Sequence, residues 1–233
     1  LGSRSGYADQ RDVAAEIHPK GVVRDYVDTI LVCVIFVLFT RAFVFQQSKI
    51  PSGSMLDTLL IGDYIMVNRF VYAPASSDLE RSLLPMRDIR RGDIVVFKFP
   101  QQPETDYIKR VIGLPGDLLE IRRGVVLING EPLDEPYVIP EHVNSREVMA
   151  PIRVKPGHYY VMGDNRASSA DSRVWGQLPR ELIKGRALLI WLSVNNDGGG
   201  TPAAGHDRLR RALRAILTAP AMIRWGRLFT VIR

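Results

Sequence analysis

A chain of 233 residues with 46% hydrophobic content can bury one sizeable core, so a single domain with appendages is the simplest partition. Its one cysteine, Cys33, excludes an intrachain disulfide and a cysteine metal site, while the scattered His18, His142, His158 and His206 supply neither a metal-ligand spacing nor a histidine beside a serine in a nucleophile phrase. The net charge of +6 is uneven, with arginines dense after Arg208, which points to an anionic surface, either lipid or nucleic acid.

Residues 1–25 read as an N-terminal tail. Residues 26–45, YVDTILVCVIFVLFTRAFVF, supply about the 20 residues a helix needs to cross a hydrocarbon core, and predict a transmembrane anchor. Asp28 and Arg41 fall near its two ends, where charged side chains can reach the interface. A cleaved signal peptide fits less well, because the preceding tail is long and no small-x-small site follows. Arg11, Lys20 and Arg24 before the anchor, against Arg41 and Lys49 after it, lean toward a cytoplasmic N-terminus.

From 46 to 195, turn signals alternate with short β-rich runs at 64–72, 94–99, 107–112, 118–121, 125–128, 159–162 and 187–192. Gly-Asp pairs at Gly62, Gly92, Gly116 and Gly163 punctuate them, and Asn129-Gly130 is a tight-hairpin signal between VVLI and the following EPL. The pattern predicts a mainly β domain of antiparallel pairing, sheet or barrel-like. The polar, proline-bearing stretch 73–91 reads as an exposed loop.

Residues 196–205 are a Gly/Pro linker. Beyond it, over 206–233, Leu209, Ala212, Leu213, Ile216 and Leu217 recur at helical spacing beside Arg208, Arg210, Arg211 and Arg214. This predicts a C-terminal basic amphipathic segment, with two readings: a tail lying on anionic lipid, or a helix packed on the β domain with a solvated arginine face.

Two phrases carry chemistry. Ser54 sits in IPSGSMLDTLL, where a rigid proline, a glycine and two hydroxyls suit a turn that exposes one hydroxyl beside free backbone N–H groups. Lys109 sits in DYIKRVIGLPGD, where β alternation puts it on one face with Tyr107 and Val111, and Ile108 and Arg110 on the other. A serine hydroxyl needs a neighbouring base, and a lysine becomes one only where burial removes its proton. The competing reading is a lysine that simply reaches water. A third phrase, MGDNRASSADSRVWG from Met162, supplies hydroxyls and carboxylates able to orient such a lysine, and on composition alone is also an ordinary polar loop.

The order of anchor, PSGSM, RGDIVVFKFP, DYIKRVIGLPGD, NG and GDNR…SADSRVWG resembles the bacterial type I signal peptidases (leader peptidases) from the anchor to about Trp191. The resemblance implies a membrane-bound endopeptidase that removes signal peptides, cutting after small residues of Ala-x-Ala type, with no cofactor or metal. It implies Ser54 as the acylated nucleophile and Lys109 as general base, with the Ser52 hydroxyl and the Ser54 N–H as oxyanion hole. Ser169 would position the lysine, Asp171 and Arg173 would brace that loop, and Asp164 would pair with Arg110. An extended substrate would meet Ile50, Pro51, Met55, Leu59, Ile65, Val96, Tyr107 and Ile108, with Asp106 on the strand edge. The implied partners are preprotein signal peptides and an anionic lipid bilayer, not nucleic acid. The implied location is the bacterial cytoplasmic membrane, single-pass, with the catalytic domain on the extracytoplasmic side.

Two positions depart from the family pattern: Asp57 stands where proline is usual, and Ala167-Ser168 where Asp-Asn is usual. Asp57 could restrain the turn only through a side-chain hydrogen bond to backbone. Alternative readings are an inactive anchored β domain that binds signal sequences, and a conjugation-type processing peptidase.

Overall fold

The computed structural model describes residues 22–39, 45–72, 86–195 and 222–232. Helix α1, Val22–Phe39, forms in a stretch free of glycine and proline, and Val23, Tyr26, Val27, Ile30, Leu31, Phe36 and Leu38 are all exposed. It starts four residues ahead of the expected anchor, which brings Arg24 and Asp25 into the same helix as Asp28. Phe45, expected to close the anchor, instead opens strand β1, Phe45–Lys49. No helix among the described residues is long and apolar enough to cross a membrane. The helix belongs to one compact unit and everything from residue 45 onward to another.

The second unit is mainly β and antiparallel. Strands β2 (Asp63–Asn68), β3 (Ile94–Phe99), β4 (Gln102–Gly113), β9 (His158–Met162), β10 (Leu178–Pro179) and β11 (Ile183–Ser193) join β1 in the order β1-β2-β11-β3-β4-β9-β10. Among the described residues β1 and β10 end that order and do not pair with each other. Strand β3 reads IVVFKF because both its faces are covered: Ile94 and Val96 enter one core with Ile50, Met55, Leu59 and Ile108, while Val95 and Phe97 enter another with Val111, Val161 and Leu178.

A smaller sheet is inserted between β4 and β9, in the order β7-β6-β5-β8: β5 (Leu118–Arg122), β6 (Val125–Ile128), β7 (Glu131–Pro132) and β8 (Met149–Arg153). The hairpin between β6 and β7 turns at Asn129 and Gly130, whose φ of 55° and 91° place both in the left-handed region that a tight two-residue turn demands.

Two expectations change. Of the stretch read as an exposed loop, 73–85 lies outside the described residues, but Ile89 is buried in the second core and Arg87 pairs with the buried Asp93 at 2.7 Å. The arginine-rich 208–217 and the linker 196–205 also lie outside the described residues. The tail that follows packs on the β unit. Strand β12, Thr230–Val231, pairs with β11, and Ile232 is buried beside Ile50 and Met55. Arg227 donates to Asp63 Oδ2 at 2.7 Å and to the Thr58 carbonyl at 2.9 Å, while Arg224 donates to the Ile61 carbonyl at 3.1 Å. These two arginines therefore serve the fold, because the buried Asp63 carboxylate needs a charge partner.

Candidate active site

The chain leaves β1 through Ile50 and Pro51 and turns before β2. In that turn Leu56 N–H donates to the Gly53 carbonyl and Leu59 N–H to the Met55 carbonyl, anchored by Met55 and Leu59, which have no exposed surface. The buried apolar side chains fix the turn and leave Ser54 at its surface-facing side, 8% exposed. Its backbone N–H donates to no acceptor among the described residues.

Strand β4 brings Lys109 to the same place. Lys109 Nζ donates to Ser54 Oγ at 2.9 Å and to the Ile108 carbonyl at 3.0 Å, and its side chain is 3% exposed. The amine lies 5.2 Å from the centre of the Tyr107 ring. Burial pulls it from its ordinary 10.5 down to about 8, against the Asp171 and Asp164 carboxylates, which act in the opposite direction. A lysine in that state holds a usable neutral fraction near neutral pH, next to a hydroxyl.

The segment after β9 packs against the turn that carries Ser54. Gly163 packs so closely that a Cβ there would lie 2.4 Å from the Ser54 carbonyl oxygen and 2.3 Å from Ser169 Oγ, so no larger residue fits. Asn165 N–H donates to the Ser54 carbonyl at 3.1 Å, and its Nδ2 donates to the Gly53 carbonyl at 3.1 Å. Asp164 takes two hydrogen bonds from Arg110, Nε at 2.9 Å and Nη2 at 2.7 Å, and one from Thr58 Oγ1 at 2.6 Å. The Arg110–Asp164 pair thus ties β4 to the turn that carries Ser54.

Asp171 has no exposed surface and accepts from Gly163 N–H at 3.0 Å and from Arg173 Nε and Nη2, each at 2.8 Å. Burial alone would push its carboxyl up, but Arg173, Gly163 N–H and the nearby Ser169 hydroxyl hold it below the ordinary carboxylate range. Ser169 Oγ is buried and makes no hydrogen bond of good geometry, including none to Lys109, for which the expected positioning contact is absent. Asp57 is exposed and its side chain makes no hydrogen bond among the described residues, where the turn is held by the bond from Thr58 to Asp164.

Beside the Ser54–Lys109 pair runs an open groove of about 550 Å³ lined by Pro51, Ser52, Leu56, Asp106, Tyr107, Ile108, Ser168 and Ala170 among others. Residues 106–109 are paired with a strand on one side only, by β3, since β9 joins β4 from Arg110 onward. Ser52 is exposed on the rim. Ile50, Met55, Leu59, Ile65 and Val96, expected to line substrate pockets, are core residues at 0–2% exposure and do not reach the groove. Apolar residue types look alike in sequence whether they face a ligand or a neighbouring strand. Sequence reasoning missed Asn165 and Thr58, which carry no signal beyond lying within or next to the phrases singled out.

A family model described as "Signal peptidase, peptidase S26" matches residues 23–192. The chain is 33% identical over 232 residues to the signal peptidase I of Pseudomonas aeruginosa, an overlap of 83% of this chain and 81% of that one. It is 38% identical over 181 residues to the signal peptidase I of Leptolyngbya laminosa, 74% of this chain and 81% of that one. Among solved structures it is similar to a signal peptidase I from Enterococcus faecalis V583, at 31% identity and a TM-score of 0.39, over 43% of this chain and 97% of that one.

Proposed function

Since the chain belongs to the signal peptidase family, peptidase S26, and is a serine endopeptidase of the signal peptidase I type that removes signal peptides from preproteins, we propose that Ser54 and Lys109 perform its cleavage. The observation that carries this is a buried amine 2.9 Å from a hydroxyl at the edge of a groove. Neutral Lys109 takes the Ser54 proton as Oγ attacks the scissile carbonyl. The oxyanion that forms is met by the unengaged Ser54 N–H and by the Ser52 hydroxyl on the rim. Collapse passes the proton from Lys109 to the departing amine and leaves the signal peptide esterified to Ser54. Water then yields its proton to Lys109, attacks the ester and releases the peptide acid, and Ser54 recovers its proton.

An extended substrate pairs its backbone with the open side of residues 106–109, and small side chains face the wall made by Pro51, Tyr107 and Ile108. The test is incubation with a preprotein bearing Ala-x-Ala before the bond. The expected product is a mature chain beginning at the next residue, and no product, or a bond cut elsewhere, overturns the reading. In the same assay Ser52→Ala slows turnover on the order of 100-fold without abolishing it.

The exposed apolar surface of α1 supports attachment to a bilayer, with Arg24, Asp25 and Asp28 in the first turns at the polar boundary and the catalytic unit on the extracytoplasmic side. The full chain is expected to float with anionic vesicles, and a variant carrying Ile30→Asp, Ile35→Asp and Val37→Asp to stay in the soluble fraction. Equal flotation of the two removes α1 as the attachment.

A further inference from the structure

The connection between β7 and β8, residues 133–148, belongs to the smaller sheet and is remote in sequence from both Ser54 and Lys109. It nevertheless places one group against each arginine that supports them. The Tyr137 ring lies 3.8 Å from the Arg110 guanidinium, and Tyr137 Oη donates to Glu135 Oε1 at 3.0 Å. Glu135 accepts both terminal nitrogens of the buried Arg166. Glu147 accepts Arg173 Nη1 through both oxygens, at 3.1 and 2.9 Å.

Arg173 engages all three of its side-chain nitrogens: Nε on Asp171 Oδ1, Nη1 on both oxygens of Glu147, and Nη2 on Asp171 Oδ2 and the Arg166 carbonyl. Arg166 Nε donates to the Gly163 carbonyl at 3.2 Å, while the Gly163 N–H donates to Asp171. Gly163 is thus gripped at both its amide and its carbonyl, and it is the residue that lies against the Ser54 carbonyl. The connection is itself fixed to the smaller sheet, since Gly124 N–H donates to the Glu147 carbonyl at 2.9 Å.

We propose that this connection is a brace for the Ser54–Lys109 pair, and that Glu135, Tyr137 and Glu147 are positioning residues for cleavage. The proposal rests on the reading that Ser54 and Lys109 cut the substrate. Two bidentate carboxylates and one aromatic face fix three guanidinium planes, and these fix Gly163, Asp164 and Asp171. A packed path is only a route, and coupling along it has to be measured. An error of about 1 Å in a reacting pair costs on the order of 100-fold in rate, so loosening the brace acts on kcat and leaves the groove, and hence KM, in place.

The experiment measures kcat and KM of the full chain on the Ala-x-Ala preprotein for wild type, Ser54→Ala, Glu135→Ala, Glu147→Ala and Arg122→Ala, each first melted to establish a cooperative fold. Arg122 pairs with Glu120 within the smaller sheet and is exposed. The two glutamate variants should lose between about 10- and 100-fold in kcat with KM little changed, and Arg122→Ala should match wild type. A glutamate variant that fails to melt cooperatively is replaced by the glutamine at that position, which keeps an acceptor and gives a smaller loss in kcat. Unchanged kcat in the folded glutamate variants, a loss confined to KM, or an equal loss in Arg122→Ala overturns the brace. Wild type that cuts no better than Ser54→Ala overturns instead the reading on which the brace depends.

Discussion

Replacing Lys109 by arginine is expected to leave essentially no preprotein cleavage, as is replacing Ser54 by alanine, and the wild-type rate is expected to rise with pH along a limb centred near 8. The amine can accept the serine proton only when it is neutral. Its burial lowers its proton affinity to about 8, so below that pH most molecules carry an ammonium ion that cannot act as a base. The sign follows: kcat climbs about tenfold per pH unit on the acid side and levels off on the alkaline side. Arginine cannot shed its proton in this range, and its fork would reach Ser54 with the wrong charge and shape. Normal cleavage by Lys109→Arg, or a rate that falls between pH 6 and 8, would exclude Lys109 as the base.

Asp164→Ala is expected to remove about 3–5 kcal/mol of folding stability, read from the midpoint of denaturant unfolding, together with most of the activity. Arg110 and Asp164 are 2% and 1% exposed, so deleting the carboxylate strands a guanidinium where water does not reach it. The same change frees Thr58, which is held at 2.6 Å and restrains the turn that carries Ser54. Asp164→Asn keeps the shape and part of the hydrogen bonding, and falls between the two. A midpoint unchanged in Asp164→Ala would mean that the pair is offset by solvent and does not anchor the turn.

Much of the sheet is legible in the sequence. Strands 94–99 and 125–128 fall where apolar β-branched runs predict them, and Asn129-Gly130 turns the hairpin that its dipeptide specifies. What escapes is structure made by partners. Strand β1 reads FQQSK, polar at every position but Phe45, and pairs because β2 lies beside it. Strand β8 contains Pro151, a residue that argues against a strand except where, as here, the neighbouring sheet has an edge to offer. Strands β10 and β12 are two residues each and exist only as pairings.

The site divides along the same line. Ser54 and Lys109 stand in dense phrases, and the Arg110–Asp164 contact joins two residues that each belong to one. Glu135, Tyr137 and Glu147 are ordinary surface types in an irregular stretch, and only the fold reveals which arginine each one meets. Ser168 and Ala170, which also line the groove, likewise have no periodicity to announce them.

The placement of Ile232 among Ile50, Met55 and Leu59 sets an order of events during biosynthesis. Contacts so distant along the chain close late. The ribosome delivers Ser54 well before Ile232, so for a time the growing polypeptide holds that serine without the contact that completes the core beneath it.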